Sequence, residues 1–210
     1  MIDQDLLSEL QYALLEPPDG GATWPSEVWM RDEVIDTVNS AIWGWLRDTH
    51  ALVTPLDVAV LAAGLGVVPL PADWLATCAC VWRSAAGVRT PLGPVDRFEG
   101  DLALPSWETT AGTPLAYDEF ESDTLTLQLL PIPAANGTLE LLYVARTAAV
   151  NGGGITLPLP DEFLSAVKYG TLGGLLRKVG RLADPQRAEY CEQRYDLSVL
   201  LTKILLSGWA

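Results

Sequence analysis

The spacing of apolar residues changes twice along the chain. From Asp3 to about Leu15, Leu6, Leu7, Leu10 and Leu14 recur at intervals that put them on one stripe of a helix, with Asp3 and Asp5 complementing its positive end. Pro17-Pro18-Asp19-Gly20-Gly21 stops that helix. A second helix is predicted from an N-cap at Ser26 to about Arg47, with Val34, Val38, Ile42 and Trp45 in register. Each helix is expected to bury one side.

From about Leu52 to Arg146 the period falls to two. Leu56, Val58 and Val60 alternate with other residues, as do Leu125, Leu127 and Leu129, and then Leu139, Leu141, Tyr143 and Ala145. Turn-rich connections at Glu121-Ser122-Asp123 and from Pro131 to Gly137 suit hairpins, so these strands are expected to pair antiparallel. Between Pro94 and Thr113 a short helix at Val95 to Glu99 and an irregular loop anchored by Trp107 are expected.

Asn151-Gly152-Gly153-Gly154 returns the chain to helix, and Pro160-Asp161-Glu162 starts one that runs to about Val179 with Ala166, Gly170 and Gly174 in one row. Small residues in a row let another helix approach closely. The last helix takes Asp184 as N-cap and Pro185 in its first turn, and carries Ala188, Cys191, Tyr195, Val199, Thr202 and Leu206 along one side. The two terminal helices are expected to pack antiparallel across the link from Gly180 to Ala183. The predicted architecture is therefore α+β: residues 1–50 and 151–210 form a helical bundle, and residues 51–150 form an inserted antiparallel β region.

Composition narrows the possible work. The 210 residues are 49% hydrophobic and 19% charged, enough apolar content to bury a core. Net charge is −14, with 27 acidic against 13 basic residues and no basic cluster longer than Arg177-Lys178, which argues against a firm grip on nucleic acid. A surface that repels phosphate would instead let a duplex slide past. The opening residues have neither a basic region nor an apolar core of a leader, and no apolar run approaches the roughly 18 residues of a membrane span. The expectation is a soluble cytosolic product with no membrane role.

No residue pattern in the chain points to catalytic chemistry. His50 is the single histidine, so no histidine-based triad or zinc cluster can be built on it. Cys78 and Cys80 share a strand face and are expected to act as small core residues; Asn136-Gly137-Thr138 reads as a turn. Gly64-Leu65-Gly66 lacks the third glycine of a dinucleotide motif, and Gly170-Thr171-Leu172-Gly173-Gly174 lacks the Lys-Ser/Thr ending of a phosphate loop. The acidic run from Tyr117 to Asp123 is the one concentration of carboxylates, but strand alternation turns Asp118 and Glu119 to opposite faces. A carboxylate-dependent cell-wall hydrolase would have to rest on that run. No catalytic, cofactor-binding or metal-binding residue is assigned. Eight tryptophans are many for this length, and tryptophan and tyrosine anchor subunit contacts. Trp209, Trp107 and Tyr195 are the candidate interface residues.

From about Val28 to Leu201 an ordered set of short signatures accompanies these elements: Pro69-Leu70-Pro71-Ala72-Asp73-Trp74, then Pro105-Ser106-Trp107, then Gly112-Thr113-Pro114 leading to Tyr117. Leu130-Pro131-Ile132-Pro133, Leu141-Leu142-Tyr143, Leu157-Pro158-Leu159-Pro160-Asp161-Glu162-Phe163 and Ala188-Glu189-Tyr190 follow. In this order the chain resembles the head-to-tail adaptor proteins of tailed bacteriophages. The resemblance implies a virion structural protein without catalytic residues, present as a homo-oligomeric ring, typically a dodecamer, in the neck between head and tail. It implies docking on the portal protein, contact with tail or nozzle proteins, and a lumen through which DNA passes during genome ejection without specific binding. Assembly would take place in the host cytoplasm. A head-closure or tail-terminator protein is the alternative within the same structural class.

Overall fold

A computed structural model describes residues 1–14, 29–60, 66–121, 125–178 and 183–207. Its elements run α1 (Asp3–Ala13), α2 (Arg31–Thr49), β1 (Val53–Val60), β2 (Val67–Pro69), β3 (Trp74–Ser84), β4 (Arg89–Pro94) and α3 (Arg97–Ala103). After these come β5 (Ala111–Gly112), β6 (Ala116–Glu121), β7 (Leu125–Leu130), β8 (Ile132–Pro133) and β9 (Gly137–Ala145). A 3-10 turn at Asp161–Phe163 then leads into α4 (Leu164–Leu176) and α5 (Pro185–Ser207). The protein is mixed α and β, and the chain divides into two compact units, one of Met1–Ala51 with Arg146–Ala210 and one of Leu52–Ala145.

In the first unit the helical periodicities become buried stripes. Leu6, Leu7 and Leu10 of α1 are sealed, as are Val34, Val38, Ile42 and Trp45 of α2. The expected N-cap at Ser26 and the Pro17–Gly21 stop lie outside the described residues; α2 ends where His50 turns into the left-handed region at φ 55°. Helix α4 packs against both α5 and α2. Its small residues permit that approach: the ring of Tyr195 lies over Gly170, where a Cβ would stand 2.9 Å from Tyr195 Cδ2. Asp184 caps α5 by accepting a hydrogen bond from the Arg187 amide at 3.0 Å. The loop before α4 is tied down from α1 and α2. Both carboxylate oxygens of the sealed Asp3 accept backbone amides, from Gly152 at 2.8 Å and Gly154 at 2.9 Å. The Asn39 side chain exchanges two hydrogen bonds with the backbone of Val150.

The second unit holds a seven-stranded sheet in the order β1-β9-β3-β4-β6-β7-β2. One face carries the core, built from Val60, Val68, Cys80, Trp82, Leu127, Leu129, Leu139, Leu141 and Tyr143 among others. The alternation seen in the sequence therefore sets the face of each strand correctly. The pairing differs from expectation in two places. The sheet is not wholly antiparallel: β4 and β6 run parallel, with Gly93 beside Ala116 and Pro94 beside Tyr117. The stretch from Val95 to Leu115, which contains α3, is a crossover long enough to bring the chain back in the same direction. The Pro131–Gly137 connection is also not a hairpin. Strand β7 pairs with β6 and β2, whereas β9 lies between β1 and β3, and β8 leaves the sheet to pair parallel with β5. Pro131 and Pro133 lack the amides that a continuous ladder would need.

Candidate functional site

Of the acidic run, Asp118 and Glu119 face different surroundings; Asp123 and the Glu121 side chain lie outside the described residues. Asp118 is raised above its ordinary value by burial, offset by the Arg97 guanidinium and reinforced by Asp96, neighbours at α3. Glu119 is also raised, first by burial, with a hydrogen bond to Thr77 of β3 lowering it and Asp118 raising it. The two acids thus answer to opposite sides of β6 and do not converge on one point. Among the described residues no group of three or more His, Cys, Asp or Glu is placed to hold a metal ion.

Glu119 offers a direct check of this electrostatic account. A carboxyl with a raised value in the folded state binds its proton more tightly than in the unfolded chain, so its contribution to stability falls as pH rises through that value. Glu119→Gln keeps a partner for Thr77 and removes the charge. It is expected to raise the urea midpoint slightly at neutral pH, with the gain vanishing below about pH 4, where the wild-type acid is itself protonated. A lower midpoint at neutral pH would contradict the burial account.

The thiols are poor nucleophiles. Cys78, Cys80 and Cys191 are free. Burial pushes all three up, and Cys80, with Glu119 adding to burial, is pushed up to about 12. Cys78 and Cys80 do not sit as equivalent rungs on the ladder, because β3 is irregular against β9 between Thr77 and Ala79. His50 is exposed at the end of α2.

The three candidate interface residues are placed differently. Trp107 is 2% exposed, and its Nε1 donates to Asp101 Oδ1 at 2.8 Å, anchoring the loop after α3 as the sequence reading expected. Tyr195 packs on α4, and its hydroxyl donates to Asp48 Oδ2 at 3.3 Å. Trp209 lies outside the described residues.

Two exposed apolar surfaces were not singled out from the sequence. On α3, Phe98 and Leu102 stand one turn apart, 71% and 68% exposed. On α5, Leu197, Leu200, Leu201, Ile204 and Leu205 lie open, away from the buried row of Ala188, Cys191 and Thr202. The second was legible in principle, since α5 reads as apolar on more than one side once its outward positions are projected at 100° per residue.

A family model described as SU10 adaptor protein matches residues 4–203 of the chain. Among solved structures, one described as the neck of an empty GTA particle, computed with C6 symmetry, aligns over 93% of this chain and 91% of that chain at 18% identity and a TM-score of 0.29. A likeness at that score establishes no common arrangement. No curated protein matches the sequence.

Proposed function

The chain belongs to the SU10 adaptor protein family, structural adaptors of the head-to-tail junction of tailed bacteriophages, and from that premise we propose how it does this work. Copies close into a ring, typically of twelve, beneath the portal protein and above tail or nozzle proteins, around the channel through which DNA leaves. The helices of the first unit form a bundle that builds the ring wall. Trp209, Tyr195 and Trp107 serve the contacts, Trp107 by fixing the loop that follows α3. The protein acts without catalysis, cofactor or metal, in the neck of the virion, after assembly in the host cytoplasm.

The observation that carries this reading is the family match along nearly the whole chain. Charge supports the passive channel. Net charge is −14, and many of the basic side chains are engaged within the chain itself: Arg83 bridges Asp57 and Glu140, Arg89 also holds Glu140, and Lys168 holds Glu9. Little cationic surface is left to grip phosphate, so DNA is not held as it passes.

A knockout of the gene in the parent phage tests the reading. Filled heads and tails that stay unjoined, and that join once the purified protein is supplied, are the expected result. Normal joined particles without the protein, or particles in which no copy of it is found, would overturn it.

A further inference from the structure

Helix α5 carries two apolar faces, and its own unit covers one of them. On the inner face Ala188, Cys191 and Thr202 are buried, and Tyr195 packs over Gly170. On the outer face Leu197, Leu200, Leu201, Ile204 and Leu205 are exposed to 45, 54, 51, 58 and 57%. At 100° per residue these five cover an arc of about 140° from Leu200 to Leu205. Single exposed apolar residues need no explanation, but five on one arc form a contiguous patch of the kind that marks a contact surface.

Charge selects the occupant. From Leu197 to Ser207 there is no carboxylate, and Lys203 is the sole charged side chain, in a chain whose net charge is −14. Copies of so acidic a protein repel one another over most of their surfaces, within a Debye length of about 8 Å at physiological salt. A carboxylate-free apolar stretch is where two copies can meet without that cost. A cationic partner would find no acid there to pair with, and a phosphate-bearing one would find a single lysine. The width of the arc then sets the number of neighbours. A two-helix seam needs only the narrow stripe of a coiled coil, whereas this arc has two flanks, Leu197 and Leu200 with Ile204 between them, and Leu201 with Leu205.

We propose that α5 is held between the α5 helices of two further copies of this chain, the Leu197–Leu200 flank of one packing on the Leu201–Leu205 flank of the next. Unlike flanks make a heterologous contact, which propagates round a ring instead of stopping at a dimer. The proposal rests on the ring-forming reading above and names the surface that would form the ring. Leu197 to Leu205 rises only about 12 Å, less than a free-standing coiled coil requires, so each contact is weak alone and is strengthened by closure.

Two double variants of the full chain test it, Leu197→Glu with Leu200→Glu, and Leu201→Glu with Leu205→Glu. All four positions are exposed, and circular dichroism with the unfolding midpoint checks that the fold is kept. Should a glutamate pair lower that midpoint, the serine pairs at the same positions repeat the test. In sedimentation velocity over a concentration series, the wild type is expected to form species larger than dimer and each variant alone to stay monomeric. An equal mixture should yield a one-to-one heterodimer and nothing larger, because each copy retains one working flank. A wild type that stays monomeric throughout, a variant that assembles as the wild type does, or a variant that dimerises by itself would each overturn the proposal. Variants that still assemble and still enter virions would remove this seam while leaving the adaptor reading intact. A wild type absent from virions would remove the adaptor reading itself.

Discussion

Replacing Gly137 with alanine is expected to cost about 3 kcal/mol of stability, well above the usual effect of a surface substitution. A Cβ at this position would stand 2.3 Å from Trp82 Cζ2 and 2.7 Å from the Arg83 carbonyl oxygen. Neither neighbour can yield cheaply. Trp82 is 3% exposed within the sheet core, and the Arg83 carbonyl belongs to β3 where it runs beside β9, with Arg83 opposite Thr138 and Ser84 opposite Gly137. Val60 of β1 lies opposite Gly137 on the other side, so β9 is fixed from both edges at this point. Gly93→Ala in β4 is the control, because nothing lies within 4 Å of the Cβ it would add; it is expected to change stability by less than about 1 kcal/mol. Urea unfolding gives both values, and the indole resonance of Trp82 should shift in the Gly137 variant alone. Equal effects at the two positions would mean that the ring of Trp82 does not hold β9 as described.

Gly137 also marks the limit of what could be read from the chain. Asn136-Gly137 is the dipeptide of a tight hairpin, and the alternating leucines on either side of the connection made that reading natural. The glycine is needed for another reason, the passage of a tryptophan ring from a strand more than fifty residues earlier. A period of two assigns each strand's faces but carries no information about its neighbours, and so the core of Leu127, Leu129, Leu139 and Leu141 was legible while the order of β9 between β1 and β3 was not. The helices were easier, because their caps and stripes are local. Asp184 does cap α5, and the stripes of α1 and α2 are buried as spaced. On α5 the local signal was ambiguous, since both sides are apolar: the row expected to pack turns inward at Ala188, Cys191 and Thr202 but opens at Leu206, which is 40% exposed.

The second large effect is expected at Asp3, where a short polar side chain holds a glycine loop to the first helix. Gly152 and Gly154 adopt φ values of +73° and +84°, a left-handed course that directs both of their amides at one carboxylate. Asp3 is completely buried, and its own amide donates to the Ile155 carbonyl at 2.9 Å, so the contact is closed on both sides. Asp3→Ala removes two hydrogen bonds to a carboxylate and leaves two amides without an acceptor. Hydrogen bonds to charged groups contribute about 1.5–3 kcal/mol each, which gives an expected loss of about 3 kcal/mol or more. Asp3→Asn separates shape from acceptor number. It keeps the volume but turns an NH2 toward one of the two amides, so its cost should fall between the wild type and alanine. Urea midpoints supply the ranking, and amide hydrogen exchange at Gly152 and Gly154 localises it: both amides should exchange faster in the alanine variant. If the alanine variant loses less than about 0.5 kcal/mol, the clamp does not bear on stability, and the burial of Leu6, Leu7 and Leu10 alone holds α1 in place.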